Sequence, residues 1–267
     1  MRPLADPLTR ALRSVAALLA AIALTQAPPV RAQKLQPIAS TSLAIRSESR
    51  TGAGAAQPLA GQVPRAKVDY VFADLQKAGS PGCALGIFRD GRILYTAGYG
   101  LANVEENVPI TPNAVFDIGS TSKQFTAASM LLLEQQGKLS LTDDVRKYIP
   151  ELPDYSKGAG GKITILNLLN HTSGLRDYLS LVHLAGINGD SVTTDEDALA
   201  LITRQEGLNF SPGSDWEYSN TGYFLLSIIV KRVSGMTLRE FAARNIFHPL
   251  GMTHTMFRND HDLLPRN

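Results

Sequence analysis

Cysteine is nearly absent from this chain of 267 residues, in which Cys83 stands alone. One thiol makes neither an internal disulfide nor a cysteine-based zinc site, and in an apolar strand pattern it reads as packed and inert. The five histidines, at 171, 183, 248, 254 and 261, form no His-Glu-x-x-His or similar ligand group, so no metal or other cofactor is expected. A Gly-x-Ser-x-Gly pentapeptide does not occur, which argues against the usual Ser-His-Asp hydrolase. Lysine and arginine never cluster into a block, so neither nucleic acid nor a polybasic membrane contact is expected as partner. Long apolar runs are lacking as well. Val15 to Leu24 has ten residues, too short to span a bilayer.

That run instead has the surroundings of an export signal. Arg2, Arg10 and Arg13 precede it, and Val30-Arg31-Ala32 offers small residues where cleavage occurs. Residues 1–32 are therefore expected to be removed, leaving a periplasmic or secreted protein with no stable membrane insertion. The formal charge of +2 comes from 26 basic and 24 acidic residues. Taking away the signal's four Arg and one Asp leaves 22 against 23, a net charge of −1. Residues 33–65, rich in Ala, Ser, Gly, Pro and Gln without a sustained period, read as a flexible leader.

Residues 66–267 carry the pattern of one folded domain. Val68 to Ala78 suits a helix burying Val68, Val71, Phe72 and Leu75. Cys83 to Arg89 and Arg92 to Gly100 read as strands joined by Asp90-Gly91, a strong hairpin signal. A helix is expected from Ser120 to Gln136, apolar on almost every side and ended by Gly137. Leu141 to Pro153 reads as loop and short helix. Further helices are expected at Ile163–Asn170, Asp195–Gln205, Thr221–Val233 and Leu238–Ile246. The class is α/β (α+β): an antiparallel sheet flanked by helices, plus a helical region. A two-stranded hairpin is marginal alone. Further strands are expected beyond Asn267, which makes the domain incomplete at its C-terminus.

Two short motifs carry chemistry. Ser120 and Lys123 lie three apart, so a helix sets hydroxyl and amine on one face, at an end whose free N–H groups favour an anion. The plainer reading is a helix start, with Thr121 and Gln124 as a capping box. Tyr218-Ser219-Asn220 follows Ser120 by 98 residues. Its plainer reading is a loop tyrosine beside Trp216, with Ser219 or Asn220 capping the next helix.

Taken in order, Ser120-Thr-Ser-Lys123, His171-Thr-Ser-Gly-Leu175 and Tyr218-Ser-Asn220 resemble the serine β-lactamase and penicillin-binding-protein superfamily. The likeness is to the branch of class C β-lactamases, D,D-peptidases and esterases, and it extends to Asn220-Thr-Gly-Tyr-Phe-Leu-Leu and Pro249-Leu-Gly-Met-Thr-His-Thr. It implies a β-lactamase/transpeptidase-like fold and hydrolysis of an ester, amide (D,D-peptide) or β-lactam bond in a small-molecule or peptide substrate. Ser120 would be the nucleophile, Lys123 and Tyr218 would share base and acid roles, and the Asn220 amide would orient substrate. The N–H of Ser120 would form half of an oxyanion hole. His171 reads as structural rather than as a base. The family's third motif, Lys or His, then Thr or Ser, then Gly, does not follow Asn220. The alternative is a non-catalytic penicillin- or peptidoglycan-recognising protein, or an inactive truncated remnant.

Overall fold

Asp90 and Gly91 both take positive φ, 51° and 70°, as a tight turn matched to strand twist requires. In the computed structural model, which describes residues 63–157, 161–187 and 194–258, they join β1 (Cys83–Arg89) to β2 (Arg92–Tyr99). The pairing is antiparallel, with a bulge at Ile87/Phe88. The expected signal, and all but the last three residues of the leader, lie outside the described residues. A second antiparallel pair, β3 (Leu101–Asn103) with β4 (Val108–Pro109), was not legible in the sequence because each strand is so short. Cys83 is half-buried rather than packed away, since no residue of β1 is fully covered.

The first helix departs from expectation. α1 runs Arg65–Val71 and gives way to a 3₁₀ turn at Ala73–Gln76. Val68, Phe72 and Leu75 are half-buried, but Val71 is 72% exposed, on a side of the segment that no other described element covers. Phe72 stacks on Tyr99, ring centroids 4.6 Å apart, and so docks this segment on the hairpin.

The core lies among the helices. α2 (Lys123–Gln135) buries Thr126, Ser129, Met130 and Leu133, one face at helical spacing. The expectation of an all-round buried helix fails at Leu131, which is 53% exposed. Gly137, with φ 68°, closes the helix as expected. α3 (Ile165–Leu169) supplies Ile165 and Leu168, and α4 (Tyr178–Leu184), unforeseen, follows. α5 (Asp195–Thr203) adds Ile202. The largest share comes from α6 (Asn220–Ser234), whose Leu225, Leu226, Ile229 and Val230 have no exposed surface. Each such side chain contributes on the order of 1.5–3 kcal/mol through burial. A Cβ on Gly222 would stand 3.0 Å from the Leu168 carbonyl, so glycine there lets α6 lie close against α3. α7 (Leu238–Ala242) continues into a π turn at Ala243–Phe247, packing Phe247 on Phe125 of α2. Thr164, Thr194 and Thr237 head three of these helices with reciprocal capping boxes.

Candidate active site

The turn ahead of α2 is built by Asp117, whose Oδ1 accepts the Gly119 N–H at 2.8 Å, and by Gly119, which takes φ 50°. Ser120 then lies in a 3₁₀ turn, Gly119–Ser122, and Lys123 is the first residue of α2. This corrects the expected α-helical start, and no Thr121–Gln124 capping box forms. Gln124 Nε2 instead donates to the Thr121 carbonyl at 2.9 Å. The correction sharpens the pairing. In a 3₁₀ turn residues three apart eclipse, and Lys123 Nζ reaches Ser120 Oγ at 3.0 Å.

Tyr218 comes to the same oxygen from the loop before α6, with its hydroxyl 2.7 Å from Ser120 Oγ. It is not simply packed beside Trp216. His171, at φ 58°, packs its ring at a tilt against Tyr218, centroids 4.6 Å apart, and against Tyr223 at 5.3 Å. Its Nδ1 accepts the Ser219 N–H at 3.2 Å, and its carbonyl accepts the Glu217 N–H at 3.0 Å. Burial first, and the Lys123 charge second, push the imidazole below its ordinary 6.5, so it stands as a neutral acceptor that frames Tyr218. Gly174, in the same turn, has φ 72°, and a Cβ there would fall 2.1 Å from the Phe210 carbonyl. Only glycine lets this turn pack so closely.

Hydrogen bonding with Lys123, and then with Ser120, draws the Tyr218 phenol below its ordinary 10, against burial and the opposing charge of Asp177. Lys123 Nζ also lies 5.0 Å from the Tyr218 ring centroid and 5.6 Å from that of Tyr223. Ser120 and Tyr218 are exposed, while Lys123 and Asn220 are half-buried, so the cluster faces solvent with the amine beneath it. An open groove of about 740 Å³, lined by Phe116, Ile118, Phe125, Met252 and Met256, adjoins the turn.

Asn220 joins the cluster, though not as a group directed wholly at substrate. Its Oδ1 accepts from Lys123 Nζ at 2.9 Å and, at the longer 3.3 Å, from the Tyr218 hydroxyl. Its Nδ2 donates to Asp177 Oδ2 at 2.9 Å. All four residues singled out in the sequence therefore meet at one place. Asp177 and Thr221 were missed. The available signal was Asp177 two residues past His171-Thr-Ser-Gly-Leu175, in the helix-capping position before Tyr178.

The Beta-lactamase family model matches residues 68–266. Penicillin-binding protein 4* of Bacillus subtilis (strain 168) is 38% identical over 171 residues, which cover 63% of this chain and 36% of that protein. The D-amino acid amidase from Ochrobactrum anthropi SV3, solved with L-phenylalanine, superposes with a TM-score of 0.62 at 28% identity, covering 75% of this chain and 53% of the amidase. EstCE1, described as a hydrolase with promiscuous acyltransferase activity, gives a TM-score of 0.60 at 29% identity over 70% of this chain and 50% of its own. The chain spans a little over a third of the length of the curated relatives it matches. The motif order agrees with these matches, and with the family model matching residues 68–266, well over half of the sequence, the chain belongs to the Beta-lactamase family.

Proposed function

We propose that this chain carries the acylating half-site of an exported serine hydrolase, acting through an acyl-enzyme on an ester, amide or β-lactam bond. The observation that carries the reading is the position of Ser120 Oγ, within hydrogen-bond reach of both the Tyr218 hydroxyl and Lys123 Nζ. Lys123 presents an N–H to Oγ, so the serine's own proton is directed to the Tyr218 oxygen. As the Oγ–carbon bond forms, that proton moves to the Tyr218 oxygen in its phenolate form, which the hydrogen bond from Lys123 favours by lowering the phenol's pKa, and the neutral phenol so formed holds the proton for return. Collapse of the tetrahedral adduct then breaks the bond to the leaving group, which takes the proton from Tyr218. Water completes the cycle by the reverse relay. The Ser120 N–H, in the first turn before α2, supplies an oxyanion donor. Asn220 holds Lys123 through Oδ1, and its second amide N–H is left to meet substrate.

Ester and D-amino-amide substrates rank ahead of β-lactams, because a named amidase and a hydrolase with acyltransferase activity are among the structural relatives. The largely apolar groove that reaches the turn at Gly119 and Ser122 suits an acyl group with aliphatic or aromatic character. The test is covalent labelling of residues 33–267 with a fluorophosphonate, followed by turnover of a p-nitrophenyl ester, a D-phenylalanine anilide and a chromogenic cephalosporin. Ser120→Ala should abolish labelling, and Tyr218→Phe should slow it by about 10²–10⁴, the scale of a lost general base. Undiminished labelling of the Ser120 variant would sink the proposal. Labelling without turnover would favour the penicillin-recognising alternative.

A further inference from the structure

We infer that Asp177 is a positioning residue, which sets through Asn220 the direction in which Lys123 meets Ser120. The inference rests on the acyl-transfer reading above, and its own support is the distribution of hydrogen bonds on one carboxylate.

Oδ1 of Asp177 accepts the N–H groups of Leu179 at 3.0 Å and Ser180 at 3.3 Å, which caps α4. Oδ2 accepts the backbone N–H and the Nδ2–H of Asn220. All four partners are donors, so both oxygens must be acceptors, a demand met by a carboxylate and not by a carboxamide. The same arrangement decides the orientation of the Asn220 amide. With Nδ2 turned to Asp177, Oδ1 is left facing Lys123 Nζ at 2.9 Å. The reversed amide would set an oxygen against the carboxylate and an NH₂ against the amine, unfavourable at both ends.

Asp177 is itself clamped from both sides by α6. Thr221 Oγ1 donates to the Arg176 carbonyl at 2.6 Å and accepts the Tyr178 N–H at 2.8 Å. The chain of contact runs from Thr221, through the main chain on either side of Asp177, to the Asp177 carboxylate, Asn220, Lys123 and Ser120. Losing the Oδ2 contact frees the Asn220 side chain to rotate and lets Lys123 leave Oγ.

The substitution that separates this role from plain helix capping is Asp177→Ser. A serine hydroxyl still caps α4 but has no second oxygen for Asn220. In the full chain, Asp177→Ser should slow Ser120 phosphonylation by about 10–100-fold, the usual result of misplacing a reacting group by about an ångström. The probe's binding constant should change by much less than the rate, since the loss falls chiefly on the reacting groups. Adding Asp177→Ser to Asn220→Ala should slow the reaction no further, because the two act through one path. Asp177→Thr repeats the test with a second capping hydroxyl in case the serine variant folds poorly. The ¹³Cε resonance of Lys123 gives a readout independent of activity, and Asp177→Ser should displace it as Asn220→Ala does. An unmoved Lys123 resonance with an unchanged rate, or effects of the two substitutions that multiply, would overturn the inference. If Ser120 of the parent chain takes no phosphonate, the hydrolase reading falls, while the Lys123 resonance still decides the role of Asp177.

Discussion

Thr221→Val tests how far the site depends on a hydroxyl that touches none of the reacting groups. Thr221 is fully buried at the start of α6, and its Oγ1 both donates to Arg176 O and accepts from Tyr178 N. Valine fills the same volume and leaves those two main-chain groups without a partner. Each part-buried group so orphaned costs roughly 1–2 kcal/mol, giving about 2–4 kcal/mol together. For a domain near two hundred residues that is a fall of about 5–15 °C in Tm. Thr221→Ser is the control, since it keeps the hydroxyl and loses only a methyl, worth about 1 kcal/mol. Denaturant unfolding should therefore rank valine as the more damaging substitution, the reverse of a hydrophobicity ranking. The valine variant should also phosphonylate more slowly, because Asp177 lies between the two released groups. A valine variant as stable as the parent, or more stable than the serine variant, would refute the reasoning.

Protonation of His171 offers a second test. Its folded-state pKa is depressed below 6.5 by burial and then by Lys123, so the unfolded chain binds more protons as pH drops past that value. The stability contributed by the neutral imidazole is thus in place above about 6.5 and is lost as pH falls, so Tm should decline from pH 7 to 5 more steeply in the parent than in His171→Asn. Asp143, held at about 2 mainly by the Tyr148 hydroxyl, gives its full stabilisation throughout that window and loses it only as pH falls from the unfolded value of 3.8 toward about 2, so it adds no slope there. Equal slopes for parent and variant would count against the neutral-acceptor role. Ser219 supplies a third test: its Oγ is buried and, among the described residues, has no hydrogen-bond partner. Ser219→Ala should therefore leave stability unchanged or raise it by up to about 1 kcal/mol in denaturant unfolding, and a loss larger than that would reveal a partner for the hydroxyl.

The sequence was most informative where the chemistry is local. Asp90-Gly91 announced the hairpin, because only a few residue types accept positive φ at both turn positions. The apolar run after Asn220 announced α6, since so many large aliphatic residues at helical spacing need a core. Ser120 and Lys123 were readable as a pair because three residues close one turn. Motif order extended that reading to Tyr218 and Asn220, although nothing in the local pattern says that a tyrosine 98 residues away shares an oxygen with Ser120.

Tertiary structure decided the rest. Val71 and Leu131 are as apolar as their buried neighbours, and whether another element covers them does not appear in their own segments. Asn220 could have given its whole amide to substrate, but the carboxylate behind it takes one N–H and turns its oxygen toward Lys123. His171 could have served as a base by its residue type alone, but the Ser219 N–H and two tyrosine rings make it an acceptor and a support. Asp177 and Thr221 gave no sign of their part in the site until α6 was laid against the turn after Leu175. Which atoms a side chain contacts is set by segments 43 residues apart packing together, and a one-dimensional pattern records only what each segment can do by itself.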